Sequence, residues 1–95
     1  MNSYPDDETL DAIKKFDVTK EDVETLLDVV HDAWNYADDG GFVRNGSKLE
    51  LHTFGWSGNE DIIIALQENL FFFSLYWQKS VRGGHYYFTI KKIDK

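Results

Sequence analysis

The chain has 95 residues, of which 42% are hydrophobic and 28% charged, a composition typical of a single folded domain. It contains no cysteine, which excludes disulfide bonds, thiolate metal sites and a cysteine nucleophile. The net charge is −7, and residues 1–40 hold twelve acidic against three basic residues, so a basic partner protein fits this chain better than nucleic acid, whose phosphates need a basic surface.

The first part of the chain predicts two helices, over residues 7–16 and 19–37, after a loose end at residues 1–5. Their apolar residues recur every three or four positions, as in amphipathic helices. In the second helix these residues are Val23, Leu26, Leu27, Val30, Trp34 and Ala37. Thr19 and Asp22 approximate a capping box at its start, and the glycines at 40 and 41 favour its end.

A hairpin and a third helix are predicted next. The hairpin covers residues 42–53 and turns at Asn45-Gly46, because Asn-Gly is the strongest short signal for a two-residue turn. Its alternation places Glu50 and His52 on the face opposite to Leu49 and Leu51. The third helix begins at Ser57, which forms a capping box with the glutamate three residues later.

The last part predicts a second hairpin, with strands over residues 70–79 and 85–92 and a turn at Arg82-Gly83-Gly84. Two registers fit, with Trp77 opposite either Ile90 or Phe88, and both give the same division between the two faces. The element order α-α-β-β-α-β-β indicates an α+β fold with two layers. We expect a four-stranded, mainly antiparallel sheet with the helices on one face, forming one domain over residues 1–95.

An acidic stripe follows the second helix, since Asp17, Glu21, Glu24, Asp28 and Asp32 are three or four residues apart. Like charges at this spacing cost about 0.2–0.5 kcal/mol per pair. The stripe is therefore consistent with selection for a positive partner surface, and the alternative explanation is simple solubility. We also expect Trp56 to contact the partner, because an exposed loop tryptophan is typical of interfaces. The alternative is that Trp56 packs against one end of the hydrophobic core. The predicted partner-binding residues are Glu21, Glu24, Asp28, Asp32 and Trp56.

The outer face of the predicted sheet is an alternative site. A histidine pair with a carboxylate and tyrosines can perform acid–base chemistry or bind a ligand, whereas a merely solvated sheet face needs the same residue types for strand pairing. The tyrosines of this face also allow a homo-oligomer through paired sheets. The predicted alternative ligand face consists of Glu50, His52, Tyr76, His85, Tyr87 and Arg82.

Known catalytic motifs fail on spacing. Gly55-Trp56-Ser57-Gly58 lacks the glycine two residues after serine that a nucleophile elbow needs, and there is no phosphate-binding loop. We predict no metal site and no cofactor, and a non-catalytic protein is favoured over an enzyme.

The N-terminal residues lack the basic and apolar segments of a secretory signal, and no apolar run approaches the ~20 residues of a membrane span, so we expect a cytoplasmic protein.

One pattern resembles known sequences. Residues 55–63, GWSGNEDII, followed by Tyr76-Trp77 and by RGGHY at residues 82–86, are similar to small uncharacterised proteins of bacteria and their phages. The resemblance covers about residues 48–90. It implies a possible phage-type inhibitor of host defence, similar to anti-CRISPR proteins, and it assigns no role to any individual residue.

Overall fold

The computed structural model describes residues 4–91. The helices are α1 (Asp7–Lys15), α2 (Val23–Ala33), α3 (Ser57–Glu68) and α4 (Leu70–Tyr76), with a 3₁₀ turn at Ala37–Asp39. The strands are β1 (Phe42–Asn45), β2 (Lys48–His52), β3 (Trp77–Val81) and β4 (His85–Thr89). The α+β prediction is confirmed, with one helix more than expected. Within residues 4–91 no helix has the length and apolar character needed to cross a membrane.

The four strands form one antiparallel sheet in the order β1-β2-β4-β3. Strand alternation turns Leu49, Leu51 and Phe88 toward the helices, where all three are buried. They join one hydrophobic core with the apolar residues of the helices. These helical core residues are Ile13, Val23, Leu26, Leu27, Val30, Ile62, Ile63, Leu66, Phe72 and Tyr76. The opposite face of the sheet is exposed or half-buried.

The two predicted capping boxes need correction, although α3 begins at Ser57 as predicted. Asp22, not Thr19, caps α2 by accepting a hydrogen bond from the Glu24 amide. Thr19 instead donates its amide to the Asp17 carboxylate in the preceding turn, because a short acidic side chain closes such turns well. Trp56 occupies the N-cap position of α3 and makes no capping hydrogen bond with its side chain, so the predicted Ser57 capping box is wrong.

The prediction of a strand over residues 70–79 is wrong for its first seven residues, which form α4. Asn69 accepts a hydrogen bond from the Phe72 amide and so caps this helix. Phe72 and Tyr76, one helical turn apart, are buried, whereas Phe71 and Leu75 are exposed. Local capping therefore overrides the aromatic composition that favoured a strand.

The first hairpin turn differs from the prediction, whereas the second hairpin has one of the two predicted registers with a bulge added. In the first hairpin Asn45 pairs with Lys48, so the turn residues are Gly46 and Ser47, and glycine at the first turn position with positive φ is typical of a type II′ turn. This register differs by two residues from the predicted one and leaves the faces unchanged. In the second hairpin Trp77 pairs with Phe88, one of the predicted registers. A β-bulge then shifts the register by one, so that Lys79 pairs with Tyr87.

Two buried asparagines connect distant segments through their side-chain amides. Asn69 donates to the carbonyls of Ile13 and Phe16, at 2.9 and 2.8 Å, and thereby satisfies the C-terminal end of α1. Asn59 accepts from the Asn35 amide at 2.8 Å and donates to the Asn35 carbonyl at 3.1 Å. These bonds hold the loop after α2 against α3, and this loop carries part of the candidate site.

Candidate functional site

Two histidines meet on the outer face of the sheet. His52 and His85 are directly opposite each other on β2 and β4, and their Nδ1 atoms lie 2.7 Å apart. His52 Nε2 lies 3.2 Å from a carboxylate oxygen of Glu50, two residues earlier on the same strand. The Tyr87 ring stands edge-on to His52, with 6.0 Å between ring centroids. Four of the six residues of the predicted ligand face are thus neighbours.

The direction of the hydrogen bonds in this cluster depends on the tautomer of His52. If Glu50 accepts the Nε2 proton of His52, then His52 Nδ1 is an acceptor and His85 Nδ1 is the donor. In this arrangement His85 Nε2 is unprotonated, and its lone pair is free to accept a proton. That atom faces Gly83, since a Cβ at position 83 would lie 3.2 Å from it. The arrangement can transfer or share protons at an exposed turn.

Of the other two residues of the predicted ligand face, Tyr76 lies in the core and Arg82 lies in the turn that precedes β4. Tyr76 is buried on the inner side of α4. Its pKa is raised mainly by this burial and, to a smaller extent, by the negative charge of Asp22. It therefore cannot belong to an exposed sheet face, and the homo-oligomer predicted through Tyr76 and Tyr87 loses one of its two residues. Arg82 is exposed in the β3–β4 turn.

The acidic stripe of α2 is interrupted at Glu24. Arg44 of β1 forms a two-pronged ion pair with the Glu24 carboxylate, with both N···O distances at 2.8 Å. Hydrogen bonding to this guanidinium holds the pKa of Glu24 below its ordinary value. Glu21, Asp28 and Asp32 remain exposed. The centre of the predicted stripe is therefore neutralised within the molecule, and its acidic character is strongest toward the C-terminal end of α2.

An open depression of about 460 Å³ lies at that end of α2. Three of the residues that line it are the aspartates Asp32, Asp38 and Asp39, and Tyr36 lines it as well. His31 stands between two of the carboxylates, with Nε2 at 3.1 Å from Asp38 and Nδ1 at 3.8 Å from Asp32. The 3₁₀ turn brings Asp38 and Asp39 beside the helix end, which makes this region more acidic than the stripe alone.

Two exposed aromatic residues accompany the aspartates. Tyr36 and Phe54 are 54% and 56% exposed, and their rings are in edge-on contact at 6.2 Å. Both have left-handed backbone conformations, with φ of +62° and +54°. For residues of this size such a conformation costs about 1–2 kcal/mol each, and such outliers cluster at functional sites. We call Asp32, Asp38, Asp39, Tyr36 and Phe54 the acidic–aromatic surface.

Of this surface, only Asp32 is among the partner-binding residues that the sequence predicts. The apolar spacing predicts that α2 extends to Ala37, which would make Tyr36 a helical residue. The helix in fact ends at Ala33, because Trp34 folds into the core and donates its indole N–H to the His52 carbonyl at 3.3 Å. The Asp-Asp-Gly-Gly sequence signals the turn, but nothing local indicates that Tyr36 and Phe54 approach each other.

Trp56, the remaining predicted partner-binding residue, lies near the same region. It is half-buried and stacks on Tyr4, with ring centroids 5.6 Å apart. Tyr4 lines a second open depression of about 390 Å³ together with Asp6 and Asp32. Of the predicted loose end, residues 1–3 lie outside the described residues, whereas Tyr4 has this defined contact.

Comparison with known proteins identifies no relative. No protein family model, no curated protein and no solved structure gives a significant match to this chain. Among residues 4–91 no group of three or more histidine, aspartate or glutamate side chains has the geometry to hold a metal ion. The functional proposal therefore starts from the chemistry of the two sites.

Proposed function

We propose that this protein is a non-catalytic binding domain whose acidic–aromatic surface docks on a basic surface of a partner protein. The observation that carries the proposal is the depression lined by three aspartates and Tyr36, whose exposed ring contacts the exposed ring of Phe54. Carboxylates bind a guanidinium in two-pronged geometry, and aromatic faces attract cations. An arginine side chain of the partner satisfies both groups at once.

The net charge of −7 supports the same partner class. It raises the association rate with a basic protein and makes the complex sensitive to salt, because exposed charges are screened over about 10 Å at 0.1 M ionic strength. Glu24 does not contribute to this surface, since Arg44 already holds its carboxylate. Glu21 and Asp28 contribute through the field of the molecule and not through direct contact.

The resemblance to phage-associated sequences gives the proposal a specific form. The nucleic-acid-binding surfaces of host defence complexes are basic, because they must neutralise phosphates. An acidic domain that covers such a surface acts as an inhibitor without catalysis. This form is checked by adding the protein to a purified defence nuclease and measuring whether bound DNA is released.

The surface is tested with fluorescein-labelled hexa-arginine as the probe and fluorescence anisotropy as the measurement. The double variant Asp32→Asn with Asp38→Asn removes two charges from the surface. The control, Glu21→Gln with Asp28→Asn, removes two charges from the stripe of α2. We expect about a tenfold loss of affinity in the first variant, equivalent to about 1.4 kcal/mol, and less than a twofold loss in the control.

The outcomes separate the alternatives. Equal losses in both variants mean that only the net charge matters, and the proposed surface is then wrong. A larger loss in the control identifies the stripe as the interface. Hexalysine provides a further comparison, because a point-charge ammonium cannot make the planar contacts of a guanidinium and should bind less tightly.

A second candidate function is acid–base chemistry at the sheet face, favoured by the 2.7 Å contact between His52 and His85. Glu50 orients His52, as the third group of a catalytic relay orients the base. Hydrolysis of p-nitrophenyl acetate is the simplest assay. A rate above that of free imidazole, lost in His85→Gln and reduced in Glu50→Gln, supports this function, and a rate no higher than free imidazole excludes it.

A further inference from the structure

Helix α4 is apolar on both of its sides. Phe72 and Tyr76 are buried on one side. On the other side Leu70, Phe71 and Leu75 are 73%, 62% and 44% exposed. With 3.6 residues per turn, Leu70, Phe71, Ser74 and Leu75 occupy one continuous arc of the helix, which we call the α4 outer face. A helix that is hydrophobic all round is normally covered on all sides, and residues 4–91 leave this arc uncovered.

The exposed apolar surface continues into β3. Trp77 is exposed, and it stacks on Phe73 at 5.4 Å. Together with the α4 outer face this side chain exposes on the order of 400 Å² of apolar area, within the range of the largest apolar patch on a typical monomer. A stable interface uses about 800 Å² per partner, so this area accounts for about half of one side of a dimer.

The charge of this segment points to the occupant. Residues 70–81 contain one charged residue, Lys79, although the whole chain has a net charge of −7. A surface without charge offers nothing specific to a basic partner, whereas interfaces between identical chains are more apolar than other interfaces. The Asp22 carboxylate acts electrostatically on Tyr76, which is on the buried side of α4 and not on its outer face. Two copies that meet at the α4 outer face therefore bring uncharged surfaces together.

We propose that a second copy of this chain covers the α4 outer face, with the two α4 helices packed antiparallel about a two-fold axis. Side chains of the helices make the contact. Pairing of the β3 edges is disfavoured, because the β-bulge and Lys79 interrupt that edge. This dimer is independent of the acidic–aromatic surface and presents two such surfaces, so binding to a partner with two basic sites gains avidity.

Sedimentation velocity of the full chain tests the dimer. We expect a mass of twice 11.1 kDa at concentrations of tens of micromolar, and a monomer for Phe71→Lys with Leu75→Lys. Val43→Lys is the control, because Val43 is an exposed apolar residue of the outer sheet face. A wild-type chain that stays monomeric at all concentrations overturns the proposal. A dimer that only Val43→Lys dissociates assigns the interface to the sheet face and equally overturns it.

Cysteine cross-linking provides a second measurement that does not depend on destabilising the fold. The chain contains no cysteine, so Ser74→Cys introduces a single thiol at the centre of the α4 outer face. Under mild oxidation we expect a disulfide-linked dimer from Ser74→Cys and little from Thr25→Cys, on the exposed side of α2. Equal cross-linking of the two variants reports random collisions and contradicts the proposed contact. Added salt should maintain or strengthen the dimer, because it screens the repulsion between two acidic chains, whereas it weakens binding to a basic partner.

Discussion

Replacing Gly84 by alanine should destabilise the fold where β2 ends and β4 begins. Gly84 has a φ of +85°, and a Cβ at this position would overlap with the Thr53 hydroxyl oxygen and lie 3.3 Å from the Thr53 Cβ. The Gly84 carbonyl also accepts the Thr53 amide at 2.9 Å, next to the pair formed by His52 and His85. The left-handed conformation costs alanine about 1–2 kcal/mol, and overpacking costs about 1–3 kcal/mol. Reduced freedom of the unfolded chain returns about 0.4–1 kcal/mol, so we expect a net loss of about 1–4.5 kcal/mol, with a middle value near 3 kcal/mol.

Gly46→Ala is the matched control for this variant. Gly46 has a φ of +61°, and a Cβ at this position meets nothing within 4 Å. It therefore carries the conformational cost without the steric one, about 1 kcal/mol or less after the effect on the unfolded chain. Urea unfolding followed by tryptophan fluorescence gives both free energies of unfolding.

A double-mutant cycle separates the two contributions at Gly84. Thr53→Ala removes the hydroxyl oxygen that the new Cβ would overlap, so Gly84→Ala should cost about 1–2 kcal/mol less in that background. Equal losses for Gly84→Ala and Gly46→Ala would refute the steric argument. An unchanged cost in the Thr53→Ala background would show that the overlap is relieved elsewhere.

Three further variants test other parts of the structure. Glu24→Gln should lower the free energy of unfolding by about 0.5–1 kcal/mol at pH 7, because Arg44 loses its carboxylate partner. Since the pKa of Glu24 is depressed in the folded state, the ion pair stabilises the fold above the ordinary pKa of 4.5, and this stabilisation disappears as the pH falls through the lower folded-state pKa. Urea unfolding of both proteins at pH 7 and pH 3 measures the difference. Asn69→Ala should cost about 2–4 kcal/mol by thermal unfolding, because two carbonyls and one helix amide lose their buried partner, and a loss below about 1 kcal/mol would contradict this role. His85→Gln should move the ¹⁵N resonances of His52 far more than Tyr87→Phe does, and equal shifts would argue against the direct Nδ1 contact.

The sequence was sufficient for those features that depend on local periodicity. The alternation around Leu49 and Leu51 placed Glu50 and His52 together on the outer face, and a two-residue error in the turn did not change this, because strand faces repeat every two residues. Periodicity did not predict the structure of the α4 segment. Leu70–Tyr76 contains so many apolar residues that a period of 2 and a period of 3.6 describe it equally well. The side-chain oxygen of Asn69, which accepts the Phe72 amide, favours the helix.

The acidic–aromatic surface shows the limit of local reasoning. Asp32 was identified from helical spacing, but Tyr36 and Phe54 are eighteen residues apart and meet only because α2 stops at Ala33 and the chain reverses through left-handed conformations. Likewise, Glu24 looked available for a partner until β1 brought Arg44 against it. Composition, charge and residue periodicity determined the α+β class, the buried face of the sheet and the acidic character of the chain, because these follow from each residue and its near neighbours. Only the tertiary structure decided which strands are adjacent, that His52 meets His85, and which carboxylates remain open to a partner, because these contacts join segments that no sequence spacing relates.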